Sequence, residues 1–147
     1  AASGFTKPIA HLYRNANQVV TNNTWTAVAL DLEVVDNANG HSTVTNNSRY
    51  TATVAGWYKV TGVVAGVASA SISVASTIRK NAATITGSSY SGVLGSTAVA
   101  PCAYTEVFVQ MNGTTDYVEL FGFVTSGAAF ADGADYGCYM TVEWVAP

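Results

Sequence analysis

The sequence predicts an all-β fold, an antiparallel sandwich of two sheets. Most of the chain alternates apolar and polar residues with a period of two, in runs of roughly five to ten residues that are rich in Val, Thr, Ile, Tyr and Trp. Clusters of Asn, Gly, Asp and Ser separate these runs, as chain reversals require. The length of 147 residues is typical of one core, so we expect a single domain over residues 1–147.

The alternating runs predict eight main strands and one short strand. The alanine-rich stretch 62–76 could suggest a helix, but its β-branched residues and two glycines favour two strands with a turn near Ala68–Ala70. Asn112-Gly113 and Asp36–Gly40 tolerate positive φ and predict chain reversals. The predicted strands are Pro8–Arg14, Gln18–Val20 (the short one), Thr24–Val35, Arg49–Val54, Gly56–Gly66, Ser71–Lys80, Ala103–Met111, Asp116–Thr125 and Tyr136–Val145.

Two long segments, Ala82–Pro101 and Ser126–Asp135, consist mainly of small residues and glycine. We expect them to be end loops of the sandwich, where binding residues usually lie. Tyr90, Asp132 and Asp135 are the candidate ligand-binding residues in them. The two aspartates offer oxygen ligands to calcium, but without a third fixed ligand the sequence favours a solvated glycine loop.

Charge is sparse, which excludes several classes of function. Charged residues make up 10% of the chain, the formal net charge is -3, and only six residues are Lys or Arg. No basic cluster is larger than Arg79-Lys80, so nucleic acid is not a predicted partner. No apolar run approaches the ~20 residues of a membrane helix, so membrane insertion is not predicted.

The sequence also lacks the usual motifs of enzymes. It contains no Gly-x-Ser-x-Gly, no phosphate-binding glycine loop and no His-Glu-x-x-His. Asp31 and Glu33 share one face of a predicted strand, as a paired-carboxylate hydrolase would need, but the apolar residues that alternate with them explain the pair as a solvent face. For His11 and His41 a structural or solvated role is favoured. We therefore predict a protein that is not an enzyme and has no cofactor.

The predicted strands Asp116–Thr125 and Tyr136–Val145 are apolar on both faces. The outer face of a sandwich strand is ordinarily polar, so this pattern indicates either a well-covered strand or burial against neighbouring subunits. The second interpretation makes Tyr117, Phe121, Phe123 and Tyr139 the candidate interface residues. Opposite them on the same two strands lie Val118, Leu120 and Val124, and Cys138, Met140, Val142 and Trp144.

Several segments resemble, in order and spacing, the trimeric jelly-roll superfamily of complement-type globular heads and tumour-necrosis factors. The most specific is Tyr50–Val60, which is similar to the pattern F-x-A-P-x-A-G-x-Y-x-V, with Thr53 in place of Pro. We expect Ala55-Gly56 to form a sharp turn there that a Cβ would obstruct. The segments are Gln18–Ala29, Arg49–Val60, Ile78–Asn81, Asp116–Leu120 and Tyr139–Trp144.

The resemblance implies an antiparallel jelly roll that assembles as a homotrimer, with Tyr139 near the threefold axis. In the family's sheet order, the strands that carry Cys102 and Cys138 run parallel with one strand between them. Their Cα atoms would then lie about 9–10 Å apart, whereas a disulfide needs less than about 7 Å. A disulfide would form only if the loop that carries Cys102 bent inward, and the sequence leaves this open.

Bacteriophage versions of the head are similar in having Asn-Asn-Thr-Trp early in the chain (here residues 22–25), Lys80-Asn81 at the end of a middle strand, and low charge. Such heads occur at tail-fibre tips, in head fibres and in decoration proteins. The resemblance therefore implies a virion surface module whose partners are other virion proteins and a host surface glycan or protein. The alternatives are a secreted, extracellular complement-like recognition domain and a carbohydrate-active sandwich enzyme.

Overall fold

The computed structural model describes residues 4–67, 72–88, 92–94, 100–126, 129–130 and 137–147. Within these ranges it contains thirteen strands and no helix, and therefore no helix that could span a membrane. The strands are β1 (Ile9–Tyr13), β2 (Gln18–Val19), β3 (Thr26–Ala27), β4 (Leu32–Asp36), β5 (Arg49–Thr51), β6 (Ala55–Ala65), β7 (Ser73–Lys80), β8 (Ala83–Thr84), β9 (Gly92–Leu94), β10 (Cys102–Asn112), β11 (Tyr117–Val124), β12 (Ala129–Phe130) and β13 (Tyr139–Ala146).

The strands form two main antiparallel sheets. The first has the order β10-β6-β13-β1-β4, and the second has β3-β11-β7-β8 with β5 and β9 paired to β11 and β7. Strand β12 pairs with β2. The long strands β6, β7, β10, β11 and β13 alternate between the two sheets along the chain, which is jelly-roll connectivity. The predicted all-β, antiparallel two-sheet jelly roll is confirmed.

The period-two pattern fixes which face of each strand enters the core. In β6, Tyr58, Val60 and Val64 are fully buried while Trp57 points outward. Alternate residues of β10 and β13 join them from the same sheet, and Ile78 belongs to the core from the second sheet. A slip of one residue would move every one of these side chains to the wrong face, so burial determines the register.

The predicted strand Thr24–Val35 is wrong as a single strand. The chain forms β3 in the second sheet and then crosses to the first sheet to form β4. Val28 and Leu30 are fully buried during this crossing, where the Val28 amide donates to the Leu120 carbonyl oxygen at 2.9 Å. Because the chain buries alternate residues both in a strand and in this crossing, the sequence pattern continues without a break.

The two segments predicted as loops also contain short strands. β8 and β9 lie within Ala82–Pro101, and β12 lies within Ser126–Asp135. β8 forms a hairpin with β7 through Asn81 and Ala82, which have φ values of 50° and 67°. Tyr90, Asp132, Asp135 and the predicted turn at Ala68–Ala70 lie outside the described residues.

Gly56 lies within β6 and not in a turn, which corrects the expectation for the Ala55-Gly56 motif. Its φ is +143°, and the motif joins the start of β6 to the end of β13, since Trp144 Nε1 donates to the Ala55 carbonyl oxygen at 3.1 Å. The Tyr58 hydroxyl donates to the Val54 carbonyl oxygen at 2.7 Å and holds the preceding turn. The reversal at Asn112-Gly113 is present, with Gly113 at φ +75°, and it connects the two sheets.

Candidate subunit interface

Three tyrosines and Val63 form a cross-strand row, the aromatic row, on the outer face of the first sheet. Tyr104 lies opposite Val63, Val63 lies opposite Tyr139, and Tyr139 lies opposite Tyr13, so the row crosses β10, β6, β13 and β1. Tyr104 is half exposed at 50%, and the other three are partly buried. A continuous row of this kind is an unusually apolar outer surface for a sandwich.

A row of polar residues runs beside the aromatic row, and contacts within the subunit hold its side chains. It consists of Glu106, Thr61, Thr141 and His11 in cross-strand register. The hydroxyls of Thr61 and Thr141 are hydrogen-bonded to each other. The His11 ring lies 5.6 Å from the Tyr139 ring, which connects the two rows.

Glu106 is the centre of a charge-compensated group on this face. Its Oε2 accepts a hydrogen bond from the Tyr104 hydroxyl at 2.7 Å and lies 3.2 Å from Lys59 Nζ. The hydrogen bond from Tyr104, followed by that from Lys59, holds the pKa of Glu106 below its ordinary value. The charge of Glu106 is therefore paired before any partner approaches, which lowers the cost of burying it.

A third row consists of Phe108, Lys59, Glu143 and Ile9, again in register. Phe108 is 55% exposed and Ile9 is 41% exposed. β10 is an edge strand of this sheet and is eleven residues long. Natural sheets usually cover or charge long apolar edges, so an edge with exposed aromatic side chains indicates association. We call the three rows together the assembly face.

The outer face of the second sheet also carries aromatic residues, but neighbouring side chains of the same subunit stack on them. Arg49 lies over the Tyr117 ring at 4.1 Å from the ring centroid, and Arg79 lies over the Phe121 ring at 4.0 Å. Glu119, on the same face of β11 and only 4% exposed, is the cross-strand neighbour of both arginines. The Trp25 ring lies 5.4 Å from the Phe123 ring. Stacked side chains of the same subunit thus cover this face.

The four interface candidates from the sequence therefore lie on opposite faces of the sandwich. Tyr139 is on the assembly face, whereas Tyr117, Phe121 and Phe123 belong to the stacked layer on the second sheet. The inner faces of β11 and β13 are apolar, but their outer faces are mixed: Glu119 lies among the aromatic residues of β11, and Thr141 and Glu143 follow Tyr139 on β13. A place for these four residues at a subunit contact stays a prediction, and a single flat contact could include only one of the two groups. Sequence reasoning missed Tyr104 and Phe108, although both occupy outward positions in the regular alternation of β10.

The residues considered for catalysis take part in separate contacts. His41 has a fully buried side chain, with Nδ1 at 2.7 Å from Glu33 Oε1 and Nε2 at 3.0 Å from the Asn47 carbonyl oxygen. Asp31 Oδ1 accepts a hydrogen bond from the Asn15 amide at 2.8 Å. The described part of the chain holds no cluster of three or more His, Cys, Asp or Glu that could bind a metal ion.

The two cysteines lie on either side of β6, at the same end of the sheet. Cys102 is opposite Ala65, and the Ala65 amide donates to Cys138 Sγ at 3.3 Å, so the expected order of strands is confirmed. Cys138 is completely buried on the inner face, whereas Cys102 is exposed on the outer face. No disulfide joins these two described residues, because their side chains leave the sheet in opposite directions.

We expect the two thiols to differ sharply in reactivity. Burial raises the pKa of Cys138 to about 12, so almost no thiolate forms and no reagent reaches it. Iodoacetamide at pH 8 should add one group to the native protein, at Cys102, and two groups after denaturation. Mass spectrometry with peptide mapping measures both numbers. A native chain that resists alkylation completely and is two mass units lighter before reduction would contradict the structure by revealing a disulfide.

The fold is that of tumour-necrosis-factor-like and complement-type globular heads. Murine APRIL superposes with a TM-score of 0.70 at 10% identity, covering 95% of this chain and 100% of that one. The globular domain of zebrafish complement 1qA gives 0.66 at 12% identity, covering 95% and 97%. Vertex protein P5 of the phage PRD1 gives 0.61 at 15% identity, covering 97% and 99%. No protein-family model and no curated protein sequence matches the chain.

Proposed function

We propose that the chain is a non-enzymatic head domain that forms a homotrimer through the assembly face. The observation that carries the proposal is the three cross-strand rows, in which exposed aromatic residues surround the compensated pair Lys59 and Glu106. Such a surface loses little hydration energy on burial and gains apolar contact area. The chain's low charge supports self-association, since identical subunits repel each other weakly.

We further propose that this head is a virion surface module that takes part in attachment or capsid decoration. The likeness to the PRD1 vertex protein supports this setting over others, together with the phage-type features of the sequence. The likeness to complement 1qA supports the second candidate, a secreted recognition domain. Immunogold labelling of purified virus particles separates the two, since only the virion module would decorate the particle.

The proposed partners are a second and third copy of the chain, other virion proteins, and a host surface glycan or protein. Three identical heads would present three copies of every loop, so weak individual contacts would gain from multivalency. Tyr90, Asp132 and Asp135 stay candidate ligand residues for this role. The role needs no cofactor, and calcium at the two aspartates stays the less favoured alternative to a solvated glycine loop.

Light scattering coupled to size-exclusion chromatography tests the assembly. At micromolar concentration we expect three times the chain mass of 15.2 kDa. The reason is that Tyr104 and Phe108, two aromatic residues exposed on the edge strand β10, would be covered by a neighbouring copy. A mass of one chain that does not change with concentration would contradict the homotrimer, and the proposed gain from multivalency would be lost with it.

A further inference from the structure

A polar groove of about 510 Å³ opens at the end of the sandwich where β4 and β5 end and β11 begins. Its volume is within the range of small-molecule sites. The loop after β4 forms one wall, and the turn before β11 forms the other. The lining residues are Asn39, Gly40, His41, Ser42, Thr45, Asn46, Arg49, Thr51, Thr115 and Tyr117.

The groove is rich in neutral hydrogen-bonding groups and carries a cation. None of the described residues that line it is a carboxylate, although the chain has more acidic than basic residues. The nearby acids have partners in the wall. Glu119 Oε1 accepts from Ser48 Oγ at 2.7 Å and from Arg49 Nε at 3.2 Å, and Asp36 Oδ2 accepts from the His41 amide at 2.8 Å.

The Arg49 side chain is held in place by two contacts. Glu119 holds its Nε, and the Tyr117 ring supports the guanidinium plane at 4.1 Å. The Arg49 side chain is nevertheless 37% exposed. A guanidinium held in this way presents its terminal N–H groups without a large loss of side-chain entropy, and its planar fork fits a carboxylate.

The walls of the groove are built from a constrained backbone. Asn39 and Asn46 have φ values of 53° and 51°, in the left-handed region. The Thr51 amide donates to the Gly40 carbonyl oxygen at 2.7 Å, and Ser42 Oγ accepts from the Thr45 amide at 3.1 Å. Residues held in this region cost free energy and often occur at binding sites, where they fix the positions of donors and acceptors.

We propose that this groove binds a carboxylate-bearing sugar residue. The carboxylate lies on the terminal nitrogens of Arg49, and the sugar hydroxyls bond to the amide and hydroxyl groups of the walls, such as those of Asn39 and Thr45. This inference deepens the proposed attachment role by naming a ligand class. The binding itself requires only the folded head, so it can be tested separately from assembly and from location on the virion.

Methyl β-glucuronide and methyl β-glucoside are matched probes, because they differ only at C6, where the first has a carboxylate and the second a hydroxymethyl group. We expect titration calorimetry to show the glucuronide binding at least about tenfold more tightly, since only this probe can pair with the guanidinium. Arg49→Lys retains the charge but loses the planar fork, and should weaken glucuronide binding about tenfold. Arg79→Lys is the control, because Arg79 is stacked on Phe121 in the same way and does not line the groove.

Backbone amide NMR supplies a readout that does not depend on a variant's stability. Methyl β-glucuronide should shift the amides of Thr45, Thr51 and Tyr117 and leave that of Trp57, on the other sheet, unchanged. Equal binding of the two probes, equal loss in the Arg49 and Arg79 variants, or shifts confined to residues outside the groove would each overturn the proposal. The oligomer mass enters none of these measurements, so failure here leaves the proposed trimer standing.

Discussion

Gly56→Val should lower the free energy of unfolding by about 3 kcal/mol, which corresponds to about 6–12 °C in melting temperature for a chain of this size. Two costs add. The φ of +143° is one that side-chain-bearing residues rarely adopt, and a Cβ would meet the Ala146 carbonyl oxygen and, at 2.5 Å, Trp144 Nε1. Both contacts involve the junction of β6 with β13, so the substitution separates two central strands of the first sheet.

Gly87→Val is the matched control for this prediction. Gly87 also has a positive φ, +77°, but no atom of the described residues lies within 4 Å of the position that a Cβ would take. The variant therefore carries only the backbone cost of about 1–2 kcal/mol. Thermal melting followed by circular dichroism compares the two variants. If Gly56→Val melted no lower than Gly87→Val, the close approach of β6 and β13 would contribute nothing to the free energy of unfolding.

The sequence predicted the sheets well because burial in a sandwich has a period of two. The alternation of buried and exposed residues is unbroken over the eleven residues of β10 and over the first ten of β6, so both strands were placed within one residue at either end. The crossing at Val28 and Leu30 was missed because the pattern of burial continues through it. Only the pairing of β3 with β11, and of β4 with β1, separates the two pieces.

The candidate site was harder to predict because it depends on which strands are neighbours. Tyr104 and Tyr139 come together through Val63, which lies between them in the sheet although the three residues are far apart in the chain. The sequence indicated aromatic residues on one face of β11 and aliphatic residues on the other, but not that Arg49 and Arg79 stack on the aromatic residues. Cross-strand stacking of this kind depends on register, and register is not a local property of the sequence.

The final prediction separates the two possible assembly surfaces with one substitution on each. Phe108→Asp places a charge on the edge strand of the assembly face, and we expect it to weaken self-association by about 100-fold or more. Lys59, directly opposite, is already paired with Glu106, so the new carboxylate would be buried between subunits without a partner of its own. Phe108 is 55% exposed in the single subunit, so the fold itself should lose little stability. Light scattering across a dilution series should show the mass of one chain where the unsubstituted protein is assembled.

Phe121→Asp makes the same chemical change on the second sheet. Arg79 lies 4.0 Å from the Phe121 ring and offers the new carboxylate an ionic partner, so this variant should fold and keep the mass of the unsubstituted protein. The opposite result, with Phe121→Asp dissociated and Phe108→Asp assembled, would move the interface to the layer of Tyr117, Phe121 and Phe123. The strand β10 would then be an exposed aromatic edge without a partner copy, and the part of the proposed function that rests on the assembly face would be wrong.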